Sequence, residues 1–288
     1  MRIWLCILAI CIVAAGCDGS SSGSTNSPDL AAPAGAGELT SPTRATTADD
    51  ADAAAAIALL EQDIPYGEAA DGNLVGFLAV PADAAEPLPG VLVLHEWWGL
   101  TPAIRDIARR IAREGYVVLA VDLYGGRTAT TVNEAQSLLR GLVDAPDAVR
   151  DNIRQAYVYL ERYALAPRIG AIGWDLGGRW SLQTALMMPD DLDAAVIFYG
   201  AIETDEALLE TLDMPLLGLF GEQDPSVPVR DVQEFRNALG RLGKRADVHI
   251  YSGADHGFFF PEDPNYSPIV ADDAWVRTRA MLASALQE

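Results

Sequence analysis

Apolar and polar residues follow two different periods along most of this chain. Short apolar runs are typical of strands buried on both faces, and runs with a 3.6-residue period indicate helices. Strands are predicted at 73–81 (an edge strand, because its residues alternate), 90–96, 116–123, 169–172, 194–200, 215–221 and 246–253. Helices are predicted at 49–62, 102–115, 131–142, 146–163, 177–188, 203–212, 228–242 and from about 268. Strands separated by helices predict an α/β fold with a mostly parallel central sheet and helices on both faces.

The first 48 residues differ in composition from the rest of the chain. Residues 1–16 combine a single basic residue, an apolar run and a small-residue end, which is typical of a secretory signal peptide. The sequence "AAGC", ending at Cys17, resembles the bacterial lipobox, which implies that Cys17 is lipidated. Residues 17–48 are rich in Ser, Gly, Pro and Ala, which predicts a flexible linker. We therefore expect one domain over 49–288, lipid-anchored to a bacterial membrane in the cell envelope and facing the periplasm or the exterior.

Composition and charge narrow the possible functions. Half of the 288 residues are hydrophobic, enough to build the core of one α/β domain. The formal net charge is −21, and nucleic-acid binding requires a basic surface, so no nucleic-acid partner is expected. The three cysteines, Cys6, Cys11 and Cys17, all precede the predicted domain. That domain therefore contains no disulfide and no thiol nucleophile.

One turn in the sequence suggests a catalytic centre. The segment "IGAIGWDLGGRWSLQ" (169–183) passes from a strand to a helix through Gly-x-Asp-x-Gly-Gly. This is the layout of a nucleophile elbow, a sharp turn that presents one side chain above the end of a sheet. The residue at the tip is Asp175, where serine or cysteine is expected.

Two further polar residues complete a catalytic pattern. In an open parallel sheet, ligands bind beyond the carboxyl ends of the strands. Asp224 and His256 follow the strands at 215–221 and 246–253, and their order after Asp175 is the nucleophile–acid–histidine order of α/β-hydrolases. The other two histidines, His95 and His249, lie in or beside strands and are interpreted as structural.

From about residue 64 to residue 286, the chain resembles the dienelactone hydrolase family. The resemblance implies an α/β-hydrolase fold that cleaves lactones or small esters without a cofactor. It places the nucleophile at Asp175, the orienting acid at Asp224, the base at His256 and a further glutamate at Glu96. It also implies that an oxyanion is held by the backbone N–H groups of Trp97 and Leu176. The matching segments are "HEWWG" (95–99), "DLYGGR" (122–127), "GWDLGG" (173–178), "GEQDPSVP" (221–228) and "DHGF" (255–258).

The chain departs from the family pattern in two ways. Asp175 replaces the cysteine nucleophile, and Phe260 stands where these enzymes carry an arginine that holds a substrate carboxylate. Arg127 lies one residue away from the position of another substrate-binding arginine. A dicarboxylate-like lactone is therefore not favoured as substrate. The candidate residues for binding a small-molecule substrate are Trp98, Tyr124, Arg127, Phe258 and Phe260.

Three functional hypotheses follow. The first is a hydrolase in which Asp175 acts covalently, as in the similar haloalkane dehalogenases and epoxide hydrolases. Those enzymes carry a helical cap, whereas residues 201–214 have room for one helix and no cap domain. The second is an inactive hydrolase-fold lipoprotein that binds a small ligand. The third is a cation site among Glu96, Asp175 and His256, since crowded carboxylates share a proton or bind a metal.

Overall fold

The computed structural model describes residues 57–70 and 72–288. The predicted signal peptide, Cys17 and the predicted linker lie outside the described residues. Among those that are described, no helix has both the length and the apolar character needed to cross a membrane.

Eight strands form one central sheet in the order β1-β2-β4-β3-β5-β6-β7-β8. The strands are Leu59–Ala69 (β1), Gly72–Pro81 (β2), Gly90–Leu94 (β3), Val117–Val121 (β4), Ile169–Trp174 (β5), Ala194–Phe198 (β6), Leu216–Gly221 (β7) and Ala246–Tyr251 (β8). Strands β3 to β8 pair in parallel, while β2 runs antiparallel to both β1 and β4. This is the mostly parallel α/β sheet that the sequence predicts.

Seven α-helices connect or flank the strands in the described part of the chain. They are Pro102–Ala112 (α1), Val132–Asp144 (α2), Pro146–Arg162 (α3), Leu176–Met187 (α4), Glu206–Leu209 (α5), Val229–Arg241 (α6) and Pro268–Leu282 (α7), and a short π-helix, Ala283–Gln287, follows α7. Only the one-turn helix α5 lies between β6 and β7, where a cap would be inserted.

The core lies in two layers, one on each face of the sheet. Successive residues of β3 alternate between them: Leu92 and Leu94 join one buried cluster, and Val91 and Val93 join the other. A strand covered on both faces needs apolar residues at every position, which explains why β3 reads as a continuous apolar run.

Two predictions about the N-terminal part of the domain are wrong. Residues 59–62, expected in a helix over 49–62, belong to β1, and the rest of that predicted helix lies outside the described residues except for 57 and 58. Because β1 pairs along the full length of β2, β2 is not an edge strand. The alternation in β2 reflects its two unlike faces, one of which buries Phe77 and Ala79.

Candidate active site

The elbow at Asp175 joins β5 to α4 through a strained backbone conformation. Asp175 has φ 51° and ψ −112°, a combination that a residue with a Cβ rarely adopts. Its N–H donates to the Phe198 carbonyl at 3.0 Å, and its carbonyl accepts from the Arg179 N–H at 3.0 Å. These bonds to β6 and to the first turn of α4 hold the conformation. Strain of this kind is concentrated at functional sites.

The glycines of the motif are required by close backbone contacts. A Cβ on Gly177 would lie 2.0 Å from the Leu94 carbonyl oxygen, and one on Gly178 would lie 2.6 Å from the Phe198 carbonyl oxygen. The first turn of α4 therefore packs directly against the ends of β3 and β6. This contact brings the elbow beside the loop that follows β3.

The structure brings Asp175, Asp224 and His256 together. His256 Nδ1 lies 2.8 Å from Asp224 Oδ2, and His256 Nε2 lies 3.3 Å from Asp175 Oδ1. The Asp224 side chain is fully buried, and its Oδ1 accepts from the backbone N–H groups of Ser226 and Val227. Asp175 and His256 are about a quarter exposed, at 28% and 24% of their side-chain surface. A substrate can therefore reach these two side chains, while the Asp224 side chain is closed off from solvent.

His256 is a cation at neutral pH. Burial disfavours its charged form, but hydrogen bonds to Asp175 and Asp224 and the charges of both carboxylates outweigh that effect and raise its pKa to about 10. The resting site therefore contains an imidazolium between two carboxylates, rather than the neutral histidine of a serine triad.

Glu96 lies in the same site in its neutral form. Burial, followed by the negative charge of Asp175, raises its pKa to about 8. The Tyr199 hydroxyl donates to Glu96 Oε1 at 3.3 Å, and the Tyr199 ring contacts the His256 ring edge-on, with centroids 4.9 Å apart. Asp263, in the loop after His256, adds its charge to that of Asp175.

The sequence alone does not indicate Tyr199 or Asp263 as site residues. Tyr199 falls inside the apolar run 194–200, so periodicity assigns it to the core; its φ of 35° and its place directly after β6 are visible only in the structure. Asp263 lies seven residues beyond His256 in an irregular loop, and no spacing rule indicates that the loop folds back on Gly257. Its carboxylate occupies the space that a Cβ at Gly257 would take.

The two proposed oxyanion donors have free N–H groups. Within the described residues, neither the Trp97 nor the Leu176 backbone N–H has a hydrogen-bond acceptor. Tyr124 lies next to Trp97, whose carbonyl accepts from its hydroxyl at 3.1 Å. Burial and the charge of Asp175 raise the pKa of Tyr124, so this side chain borders the site.

The remaining predicted substrate-binding residues divide into two groups. Trp98 is partly exposed and contacts Trp97, and the exposed Arg127 donates through Nε to the Tyr124 carbonyl at 3.0 Å. Phe258 and Phe260, in contrast, are 0% and 6% exposed and belong to the aromatic core on one face of the sheet. Their rings pack on neighbours such as Phe198 and Trp174, and their role in substrate binding stays a prediction.

Metal binding has no support from the geometry. Across residues 57–70 and 72–288, no three His, Cys, Asp or Glu side chains are arranged as metal ligands. The cation hypothesis for Glu96, Asp175 and His256 therefore rests on their charges alone. The raised pKa values of Glu96 and His256, and the hydrogen bond between His256 and Asp175, already explain how these three side chains lie close together.

Comparison with known sequences decides the family. The sequence model of the dienelactone hydrolase family matches residues 74–286. The chain belongs to this family. The matched segment contains every member of the site described above, from Glu96 on the loop after β3 to His256 after β8, and the family and its relatives' names make the chain a hydrolase.

Named relatives and solved structures agree with this assignment. "Protein usf" of Aquifex pyrophilus is 32% identical over 218 residues, covering 73% of this chain and 93% of that protein. A "Putative carboxymethylenebutenolidase" of Escherichia coli K12 is 33% identical over 218 residues, 71% of this chain and 80% of that protein. The crystal structure of a dienelactone hydrolase homologue from Klebsiella pneumoniae superposes with a TM-score of 0.70 at 29% identity, covering 78% of this chain and 99% of the other.

Proposed function

We propose that the protein hydrolyses a small lactone or ester, with Asp175 as nucleophile, His256 as proton carrier and Asp224 as the acid that orients His256. One observation carries the proposal: the His256 ring lies between two carboxylates, one of them on a strained elbow. A carboxylate at the elbow is a competent nucleophile, since carboxylates form covalent intermediates in other enzymes.

In the first step an oxygen of the Asp175 carboxylate attacks the carbonyl carbon of the substrate. The bond from that carbon to the leaving oxygen breaks, and His256 gives its Nε2 proton to the departing alkoxide. The products are an alcohol and a mixed anhydride on Asp175. The raised pKa of His256 suits this role, because the ring holds a proton to donate at neutral pH.

The second step depends on the loss of the Asp175 charge. Once Asp175 is acylated, its hydrogen bond to His256 and its charge no longer raise the pKa of the imidazole. Neutral His256 then accepts one proton from a water molecule whose oxygen attacks the Asp175 carbonyl carbon. The anhydride bond breaks, the substrate leaves as a carboxylate, and the second water proton goes to solvent.

The surrounding groups support each step. The free N–H groups of Trp97 and Leu176 bind the oxyanion that forms on the attacked carbonyl. Trp98, Tyr124 and Arg127 lie on the loops around the site and are substrate-binding candidates. With Phe260 in the core, nothing at that position binds a substrate carboxylate.

Single-turnover hydrolysis in ¹⁸O-water tests the proposal. Attack on the enzyme's own carboxyl group leaves one heavy oxygen in the Asp175 side chain, readable by mass spectrometry of the tryptic peptide. The substrates are a panel of small esters, lactones, epoxides and haloacids. As controls, Asp175→Ala abolishes turnover and labelling, and His256→Ala lowers kcat on the order of 10³-fold, the size of a lost acid–base group.

Two results would contradict this mechanism. Turnover without label in Asp175 would mean that water attacks the substrate directly and that Asp175 acts as a base. No turnover on any class, together with unchanged ligand binding by Asp175→Asn, would favour the inactive, ligand-binding alternative.

A further inference from the structure

His95 is a fully buried histidine beside the site that the proposed chemistry does not use. It follows β3 directly, and its ring lies between the loops that follow β3 and β4. His95 Nδ1 is 2.7 Å from the carbonyl oxygen of Glu96, and His95 Nε2 is 3.0 Å from the backbone nitrogen of Leu123. Both ring nitrogens therefore bond to backbone groups.

These partners determine the tautomer of the ring. The Leu123 backbone N–H can only donate, so Nε2 of His95 must accept and carries no proton. The proton of the neutral ring is then on Nδ1, which donates to the Glu96 carbonyl. Burial lowers the pKa of His95, which favours this neutral form of the ring.

The Glu96 carbonyl belongs to the same peptide group as the Trp97 N–H. The carbonyl and the N–H of a trans peptide point in opposite directions across one rigid plane, and no cis bond occurs in the described chain. Fixing the carbonyl on His95 therefore fixes the direction of the Trp97 N–H. That N–H is one of the two with no acceptor near the elbow.

We propose that His95 is a positioning residue, which orients the Glu96–Trp97 peptide group so that the Trp97 N–H points at the oxyanion. The inference rests on the proposed function, in which that N–H stabilises the oxyanion. The Gly99 N–H also donates to the Glu96 carbonyl, at 3.1 Å, but it closes a turn within the same loop. Within the described residues, His95 connects that peptide group to the loop after β4, and the Tyr124 hydroxyl from the same loop bonds to the next peptide through the Trp97 carbonyl.

Two substitutions separate the two hydrogen bonds of the ring. Asn at this position places an amide N–H near Nδ1 and retains the donor to Glu96, whereas Gln places its amide near Nε2 and retains only the bond to Leu123. With 4-nitrophenyl acetate as probe, His95→Gln lowers kcat by about 10- to 100-fold at nearly unchanged KM, approaching the loss of an oxyanion donor. His95→Asn stays within about threefold of the native rate, since the donor is kept. His249→Gln, in β8, is the matched control and leaves the rate unchanged.

Urea unfolding of both variants distinguishes positioning from a general effect on the fold. Each variant loses one buried hydrogen bond, so comparable stabilities with unequal kcat support the positioning role. Equal losses of kcat in His95→Asn and His95→Gln, following stability, would overturn it.

Nuclear magnetic resonance tests the inference without turnover. In the native protein, ¹⁵N spectra of the His95 ring should show a protonated Nδ1 and a bare Nε2, and the opposite tautomer would overturn the proposal even if a variant fails to fold. The Trp97 amide resonance should shift in His95→Gln and stay in place in His95→Asn. If the native protein hydrolyses no ester, the proposed function fails, while these spectra still decide whether His95 orients the peptide group.

Discussion

At the scale of single residues, the proton on Glu96 couples the site to the stability of the whole domain. The pKa of Glu96 rises from an ordinary 4.5 to about 8 on folding, so the folded state binds a proton that the unfolded state has released. This contribution to stability is full below pH 4.5 and is lost as the pH rises through 8. Between pH 4.5 and about 8, the unfolding free energy of the native protein falls as the pH rises. We expect this fall to be less steep in Glu96→Gln, by up to about 1.4 kcal/mol per pH unit.

Urea unfolding at pH 5, 6, 7 and 8 measures this difference. Glu86→Gln is the matched control, because Glu86 is exposed in the loop before β3 and its replacement should leave the pH dependence unchanged. His256 contributes in the same direction between 6.5 and about 10, so the native protein keeps losing stability above pH 8. Parallel curves for Glu96→Gln and the native protein would show that Glu96 is ionised in the folded state.

The site residues that the sequence identifies are polar residues in the turns that directly follow predicted strands. Asp175, Asp224 and His256 each follow a strand of the parallel sheet, and the shared direction of parallel strands brings the loops after them to one edge. The sequence does not indicate Tyr199, because its ring counts as apolar in a hydrophobic run. The sequence predicts Phe258 and Phe260 as substrate-binding residues, but it does not show that both rings are buried, because it does not show which side chains of a loop pack inward.

At the scale of the elements, the elbow depends on a backbone contact that only glycine allows. A methyl group at Gly177 would meet the Leu94 carbonyl oxygen at 2.0 Å and the His95 carbonyl oxygen at 2.8 Å, so α4 would have to move away from β3. We expect Gly177→Ala to lower the free energy of unfolding by about 1–3 kcal/mol, as overpacking does. Chemical denaturation measures the change.

Gly141→Ala provides the matched control for the elbow. Gly141 lies inside α2, and a Cβ there would meet nothing within 4 Å. Alanine is the better helix former, so this variant should gain about 0.5–1 kcal/mol. A Gly177→Ala protein as stable as the native one would mean that the elbow tolerates separation from β3.

The sequence predicts strands well where the whole strand is buried, because burial then requires apolar residues throughout. It predicts them poorly where most of the strand is exposed. Each of β3 to β7 is buried along its whole length, and its short apolar run is interpreted correctly as a buried strand. β1 buries only Ile64 and Tyr66, and its first residues continue an alanine-rich segment with high helix propensity. Pro65 falls where the register of β1 shifts against β2, a position that permits proline in a strand. The pairing of β1 with β2, rather than the helix propensity of its first residues, makes this segment a strand.

At the scale of the whole molecule, all the candidate site residues lie at one edge of the sheet, where the parallel strands have their C-terminal ends. The loops after β3, β5, β6, β7 and β8 bring one or more side chains each, and no separate domain is inserted between β6 and β7 in the described chain. Under the proposed function, these loops supply the surface that binds the substrate. This arrangement suits a small substrate, because the binding surface is limited to the edge of the sheet.

The localisation of the molecule depends on its N-terminal segment. We propose that Cys17 carries a lipid. The run "AAGC" ends an apolar leader, and a Ser/Gly/Pro/Ala-rich linker of about 30 residues would separate the lipid from the catalytic domain. Cells fed labelled palmitate should yield a labelled protein in the membrane fraction, and Cys17→Ser should be unlabelled. Cys11→Ser is the matched control, because it removes a thiol from the same leader but leaves the lipobox intact, so it should be labelled normally. Label retained in Cys17→Ser would exclude Cys17 as the lipid site, and an unlabelled native protein would leave an ordinary secretory signal as the role of residues 1–16.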